Sequence, residues 1–296
     1  MSLQDLQLSN SRFRRLPDFI QLGRLDRPIG IYLVLWPTLW ALWIASDGQP
    51  SMKNLVIFII GVFLTRTGGC VINDYADRNL DGDVQRTQNR PLATGRVSPK
   101  EALLVAAIIG LLCFVLVLFT NLTTILWSVG ALFLACIYPF MKRYTYFPQA
   151  VLGAAFAWSI PMAFAAVEKP VPALAWLIFG ATVLWTMAYD TLYAMVDRED
   201  DLQVGIRSTA ILFGDADLMI IGILELMAVL ALWLLGNQLH FSYWYFGSLV
   251  IACGLWCWQL WQCRERDTGQ CFKAFLHNHW VGAVIFAGIF LHYSVS

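Results

Sequence analysis

Residues 102–141 read ALLVAAIIGLLCFVLVLFTNLTTILWSVGALFLACIYPFM, forty positions without one Asp, Glu, Lys or Arg. An α-helix needs about 20 apolar residues to cross about 30 Å of hydrocarbon. The stretch therefore holds two crossings, and the polar pair Thr120-Asn121 near its middle marks the turn of a hairpin. Its apolarity is continuous instead of alternating, which disfavours the wall of a β-barrel.

The same reading extends outward. Charge-free runs cover 28–46, 144–167, 170–189, 226–263 and 274–296, and the longest of these is broken by Gly236-Asn237-Gln238 into a second hairpin. Two further spans carry one interior charge each: 54–73 with Arg66, and 218–235 with Glu225. The expectation is an all-α membrane protein of nine transmembrane helices around a central cavity. Composition agrees. The chain of 296 residues is 58% hydrophobic and 14% charged, with 19 Phe, 13 Trp and 10 Tyr and no formal net charge. Soluble domains are about 45–50% apolar and about 25% charged, and disordered chains are poor in aromatics and rich in net charge. Both classes are excluded.

Basic residues orient the bundle. With the N-terminus inside, the inward segments 1–27, 74–101, 142–147, 190–217 and 264–273 hold 17 of the 20 Lys and Arg residues. Lys53 and Lys169 fall outside and Arg66 lies within a span, which is the bias of the positive-inside rule. The expected placement is multi-pass in a membrane, with the N-terminus cytoplasmic and the C-terminus outside. Residues 1–27 lack the apolar core of a signal peptide, and Asp5 and Asp18 argue against a transit peptide; they read as a lead-in helix on the membrane surface. The rest of 1–296 reads as one membrane-embedded domain. The seven cysteines have no metal-ligand spacing and read as packing residues. The four histidines form no set.

Acidic residues are concentrated. NDYADRNLDGD from Asn73 and YDTLYAMVDREDD from Tyr189 contain nine of the twenty, and each holds D-x-x-x-D, as Asp77/Asp81 and Asp197/Asp201. On a helix at 100° per residue, Arg66, Asn73, Asp77 and Asp81 project within a sector of about 80°. Tyr189, Tyr193, Asp197 and Asp201 form a comparable stripe, with Asp190 two turns before Asp197. Each stripe is expected to continue a transmembrane helix to its cytoplasmic end. Four carboxylates facing one cavity, without four matching lysines, would repel one another strongly at low dielectric.

Hard cations relieve that repulsion. Mg²⁺ suits carboxylate oxygens and typically bridges one or two of them to substrate phosphates. A diphosphate carries about three negative charges, so two Mg²⁺ and four carboxylates leave about −3 for basic residues to offset. Arg78, Arg86, Arg90, Lys142, Arg143, Arg198 and Arg207 lie in the same segments, and arginine forks match phosphate oxygens. Asn73, Asp77, Asp81, Asp197 and Asp201 are the expected metal ligands, with Asp74 as second choice at the first site. Arg66, a charge inside a span that costs about 2.5–3.5 kcal/mol to insert, is usually functional in such a position; it is the candidate for binding a carboxylate on the acceptor, with Arg27 as the alternative. Glu225 reads as a helix–helix contact. An acidic ion pathway in a transporter would instead place its carboxylates at the midplane.

These residues resemble the two signature motifs of the UbiA superfamily of intramembrane prenyltransferases. RLDRPIG from Arg24, NDYADRNLDGDVQRTQNRPLATG from Asn73, YPFMKRYTYFPQ from Tyr138 and YDTLYAMVDREDDLQVGIRSTA from Tyr189 are similar to its hydroxybenzoate branch. The resemblance implies nine helices capped by cytoplasmic loops, a Mg²⁺ cofactor, and polyprenyl diphosphate and 4-hydroxybenzoate as substrates within the lipid bilayer. It implies transfer of an all-trans polyprenyl group to the ring carbon ortho to the hydroxyl, in ubiquinone biosynthesis. Homogentisate, dihydroxynaphthoate or haem as acceptor, or cation transport, are the competing functions. No nucleic acid and no obligate protein partner are expected. One departure stands out: some relatives have Lys four residues before the second D-x-x-x-D, where this chain has Tyr193.

Overall fold

The computed structural model describes residues 15–167 and 170–295, and all regular structure among them is helical. A short α1 (Leu16–Leu22) precedes α2 (Ile29–Ala45) and the long α3 (Met52–Asp77). Then come α4 (Pro99–Leu118), α5 (Leu122–Met141) and the broken pair α6 (Pro148–Ala157) and α7 (Ser159–Ala166). α8 (Ala173–Val196) leads through the short α9 (Arg198–Val204) and α10 (Thr209–Phe213) to α11 (Asp217–Gln238), α12 (Tyr243–Gln262) and α13 (Thr268–Val295).

Every segment expected to cross the membrane is helical among the described residues, and seven helical segments are long and apolar enough to do so. Nine spans are not recovered as such. α2 has 17 residues, and α12 is diluted by tryptophan, tyrosine and glutamine side chains.

Local chemistry sets the turns. Asn121 caps α5, its side chain accepting from the Thr124 N–H at 2.8 Å, and its amide donates to the Ala165 carbonyl at 2.6 Å. The polar break in the quoted stretch therefore both ends one helix and ties the hairpin to α7. Ser98 and Glu101 form a reciprocal capping box at the start of α4. The second hairpin turns later than expected. α11 continues through Gln238, and the chain reverses at His240, whose φ is +53°.

α8 is central, packing against α6, α11 and α13. Trp40 stacks on Trp185 with ring centroids 5.5 Å apart, and Trp185 meets Tyr189 edge-on. α4 and α5 instead turn nearly all their Leu, Val and Phe side chains outward, the arrangement of helices bathed by lipid. Glu225 is buried in α11 and neither carboxylate oxygen has a hydrogen-bond partner among the described residues. All seven cysteines are free.

The lead-in segment also differs from expectation. Residues 1–14 lie outside the described residues, but α1 does not simply rest on a surface. Leu22 is fully buried with Val71, Leu92, Val97 and Ala102, so α1 is packed against the segment that follows α3.

Candidate active site

α3 carries Asn73 and Asp77 in its last turns and stops at Asp77, four residues before Asp81. α8 stops at Val196, and Asp197 is the non-helical joint to α9, which carries Asp201. The two uninterrupted stripes expected from the sequence are therefore each broken inside the motif. What survives is one bond per motif. The Asp81 N–H donates to the Asp77 carbonyl at 2.9 Å, and the Asp201 N–H to the Asp197 carbonyl at 2.8 Å. An i to i+4 bond keeps each pair of carboxylates one turn apart on one side of the chain.

Both pairs line a single cleft of about 140 Å³. Asn73, Asp77, Asp81, Asp197 and Asp201 meet there with Arg86, Arg90, Lys142, Tyr193 and Arg207. Its walls also include Tyr138, Gln149, Asp190 and Ser208. Gln149 accepts from the Thr209 N–H at 3.2 Å and so joins the start of α6 to α10 beneath the cleft.

The carboxylates are not left without counterions. Lys142 bonds Asp77, with Arg143 3.9 Å from the same group. Arg90 reaches both oxygens of Asp81 at 2.9 Å and Asp74 at 3.0 Å. Arg86 grips Asp197 through Nε at 2.8 Å and Nη2 at 2.5 Å, and lies 4.6 Å from the Tyr193 ring centroid. The expected surplus of uncompensated acid is thus corrected: Arg90 matches Asp81 within its own loop, and Lys142 and Arg86 match Asp77 and Asp197 from other loops. Asp201 has no ion pair among the described residues; burial, and then the neighbouring Asp197 charge, push its carboxyl up to about 7.

Asp74 is fully buried between Arg24 at 2.8 Å and Arg90 at 3.0 Å, with one oxygen lacking a hydrogen-bond partner. It points away from the cleft and anchors the loop after α1 to the end of α3. Removing one partner of such a buried pair leaves the other charge stranded, at about 3–5 kcal/mol. Arg90→Ala strands Asp81 and leaves Asp74 with Arg24 alone, so its unfolding midpoint in detergent is expected to fall, by an amount corresponding to that loss. Thermal unfolding of the purified variant beside the wild type measures it, and an unchanged midpoint would show that neither pair is structural.

A hard cation fits the donor chemistry. The candidate ligands are all oxygen donors, and Asp77 Oδ1 is buried without a hydrogen-bond partner. The set is not preassembled, since no group of three acidic, His or Cys side chains among the described residues is already at metal-holding spacing. Lys142, Arg86 and Arg90 occupy the carboxylates instead.

Arg66 lies two turns below Asn73 and outside the cleft lining. It is half-buried, with Nη1 2.6 Å from Cys70 Sγ, Nε buried and unpartnered, and the guanidinium 5.8 Å from the Phe156 ring centroid. Gly30 makes room for it. A Cβ at that position would come within 2.2 Å of Nε and 2.5 Å of Nη2.

Four expected anion ligands are directed elsewhere. Arg27 is 70% exposed beside Asp26, because the turn at Arg24 (φ +56°) sends it outward. Arg78 folds back on its own turn, donating to the Tyr75 carbonyl at 2.7 Å and stacking on that ring. Arg143 donates to the Ala76 carbonyl at the rim. Arg198, one residue past the joint, is turned to Asp217, which Arg266 also binds. Arg24, absent from the expected set, has a structural role that its place in the RLDRPIG block could have signalled.

Residues 34–289 match the UbiA prenyltransferase family. A protein of Stutzerimonas stutzeri strain A1501 described as 4-hydroxybenzoate octaprenyltransferase is 58% identical over the whole of both chains. One of the same description from Pseudomonas aeruginosa strain LESB58 is 58% identical over 94% of each. Among solved structures, an apo UbiA homolog from Aeropyrum pernix K1 superposes with a TM-score of 0.78 at 23% identity, covering 88% of this chain and 97% of its own. A UbiA homolog from Archaeoglobus fulgidus bound to GPP and Mg²⁺ gives 0.72 at 18% identity, covering 94% and 99%.

Proposed function

This chain belongs to the UbiA prenyltransferase family, and on that premise we propose that it transfers a polyprenyl group from polyprenyl diphosphate to 4-hydroxybenzoate, at the carbon ortho to the hydroxyl, in ubiquinone biosynthesis. The observation that carries this reading is the meeting of two D-x-x-x-D pairs and their cationic partners in one cleft at the end of an apolar helix bundle. Full-length relatives of one description supply the acceptor. Residues 1–296 act as one membrane-embedded domain, in a bacterial inner membrane with the cleft facing the cytoplasm; the basic segments gathered at that end of the bundle support the orientation.

Asp77 and Asp81, with Asn73, and Asp197 and Asp201 would hold Mg²⁺. Bound Mg²⁺ supplies positive charge against the diphosphate oxygens as the allylic C–O bond ionises. Arg86, Arg90, Lys142 and Arg207 line the same cleft and add fixed positive charge around the departing group, stabilisation aimed at charge that develops in the transition state. Arg66 takes the acceptor carboxylate and so sets which ring edge faces the mouth. Apolar and aromatic walls keep water from the allylic cation.

The test is purified protein in liposomes with octaprenyl diphosphate, Mg²⁺ and, in turn, 4-hydroxybenzoate, homogentisate and dihydroxynaphthoate, with products identified by mass. The expected product is the ortho-octaprenylated hydroxybenzoate alone. Transfer only to another acceptor would move the chain to a different branch, and metal flux without any product would make it a transporter.

A further inference from the structure

Resting on that prenyl-transfer reading, we propose that Asp190 is the base that removes the ring proton once the new carbon–carbon bond has formed. Asp190 lies on α8 seven residues before Asp197, hence on nearly the same face, and lines the same cleft. Asp74, Asp77, Asp81 and Asp197 each hold a Lys or Arg. The Asp190 side chain has neither a hydrogen bond nor an ion pair among the described residues. The charges acting on it are Arg66, Asp197 and Arg86. A carboxylate in a span without a partner is costly, and such residues mark function more often than structure.

Depth gives the role. α3 and α8 both end at the mouth, at Asp77 and Val196. At about 1.5 Å per residue, Arg66 lies about 16 Å below Asp77 and Asp190 about 10 Å below Asp197. Asp190 is therefore about 6 Å nearer the mouth than Arg66, a separation matched by a benzene ring with substituents at opposite ends. With the acceptor carboxylate on Arg66, the hydroxyl end and its ortho carbon come level with Asp190, facing the allylic carbon above.

The step balances. The C–O bond to diphosphate breaks and diphosphate keeps the electron pair. A ring π pair forms the C–C bond. The arenium ion then gives its ortho proton to the Asp190 carboxylate, the C–H pair restores aromaticity, and the proton leaves to water through the mouth.

The test uses the full chain in liposomes with 4-hydroxybenzoate carrying deuterium at both positions ortho to the hydroxyl. Wild type is expected to show no isotope effect, bond formation being slower than proton loss. Asp190→Asn is expected to lower kcat about 100-fold or more with an unchanged KM for the prenyl diphosphate, and to become slower again with the deuterated ring. A purely structural residue would not create that isotope sensitivity. Wild-type turnover in the variant, or slow turnover with no isotope effect, overturns the assignment. If the Asn variant is not recovered folded, Asp190→Ser, which also removes the carboxylate, is measured instead, and a wild-type rate without an isotope effect overturns it equally. Wild type that fails to prenylate 4-hydroxybenzoate refutes the enzymatic reading, not the identity of the base.

Discussion

Asp77→Ala and Asp197→Ala are each expected to lower turnover by about 10³-fold or more while the protein still accumulates in the membrane. Insertion depends on the apolar length of α3 and α8, which neither change touches. The two aspartates lie 120 residues apart in sequence and line one cleft, so losing either removes one of the four motif carboxylates gathered there. Alanine also releases Lys142 from Asp77, or Arg86 from Asp197, and the freed cation cannot replace a metal ligand. Asp77→Asn keeps the shape and is expected to be equally inactive, which separates charge from packing. Chelation of wild type should reproduce the loss and added Mg²⁺ reverse it. The measurement is radiolabelled prenyl transfer in membranes normalised to protein amount. Near-normal rates in both alanine variants, or full activity in chelator, would remove the metal site as drawn.

Arg66→Ala is expected to raise KM for 4-hydroxybenzoate about 10²-fold and leave KM for the prenyl donor nearly unchanged. Truncating one side of a buried charge pair costs about 2–5 kcal/mol, and here the bound acid would lose its counter-charge in a span. Gly30→Ala reaches the same site from the opposite helix. Its Cβ would overlap Nε, Nη2 and Cζ of Arg66, so the guanidinium must move while its charge remains. The expected result is a smaller rise in KM for the acid in the same direction. Steady-state kinetics with each substrate varied in turn gives the split, and equal rises for both substrates would show that Arg66 supports the cleft as a whole.

Much of this was legible from residue order. The charge-free runs locate the helices because crossing length is a property of consecutive residues, and the doubled motif locates the acids because helical period is local. Side-chain partnerships were not legible. Arg86 with Asp197, and Arg24 with Asp74, join positions 111 and 50 residues apart, and no periodicity links them. Arg198 and Arg27 illustrate a different limit. Each sits beside a residue of interest in sequence, but one step along a helix turns a side chain by about 100°, and the turn at Arg24 reverses the chain. Adjacency to a motif is therefore poor evidence of facing the same way. Gly30 escaped for a simpler reason: what it contributes is space, which only its neighbour's position reveals.

The internal pairing of the cleft has a consequence for traffic at its entrance. Acids and bases that already neutralise one another project little field into the surrounding water, so simple anions gain little by approaching. On the proposed function, entry of the guest would be an exchange of contacts, in which Lys142, Arg86 and Arg90 turn from the aspartates to the incoming oxygens and leave the carboxylates free to hold a cation. Each cation that left its aspartate would strand a buried charge unless a new partner arrived, so the entrance would favour metal and diphosphate arriving together.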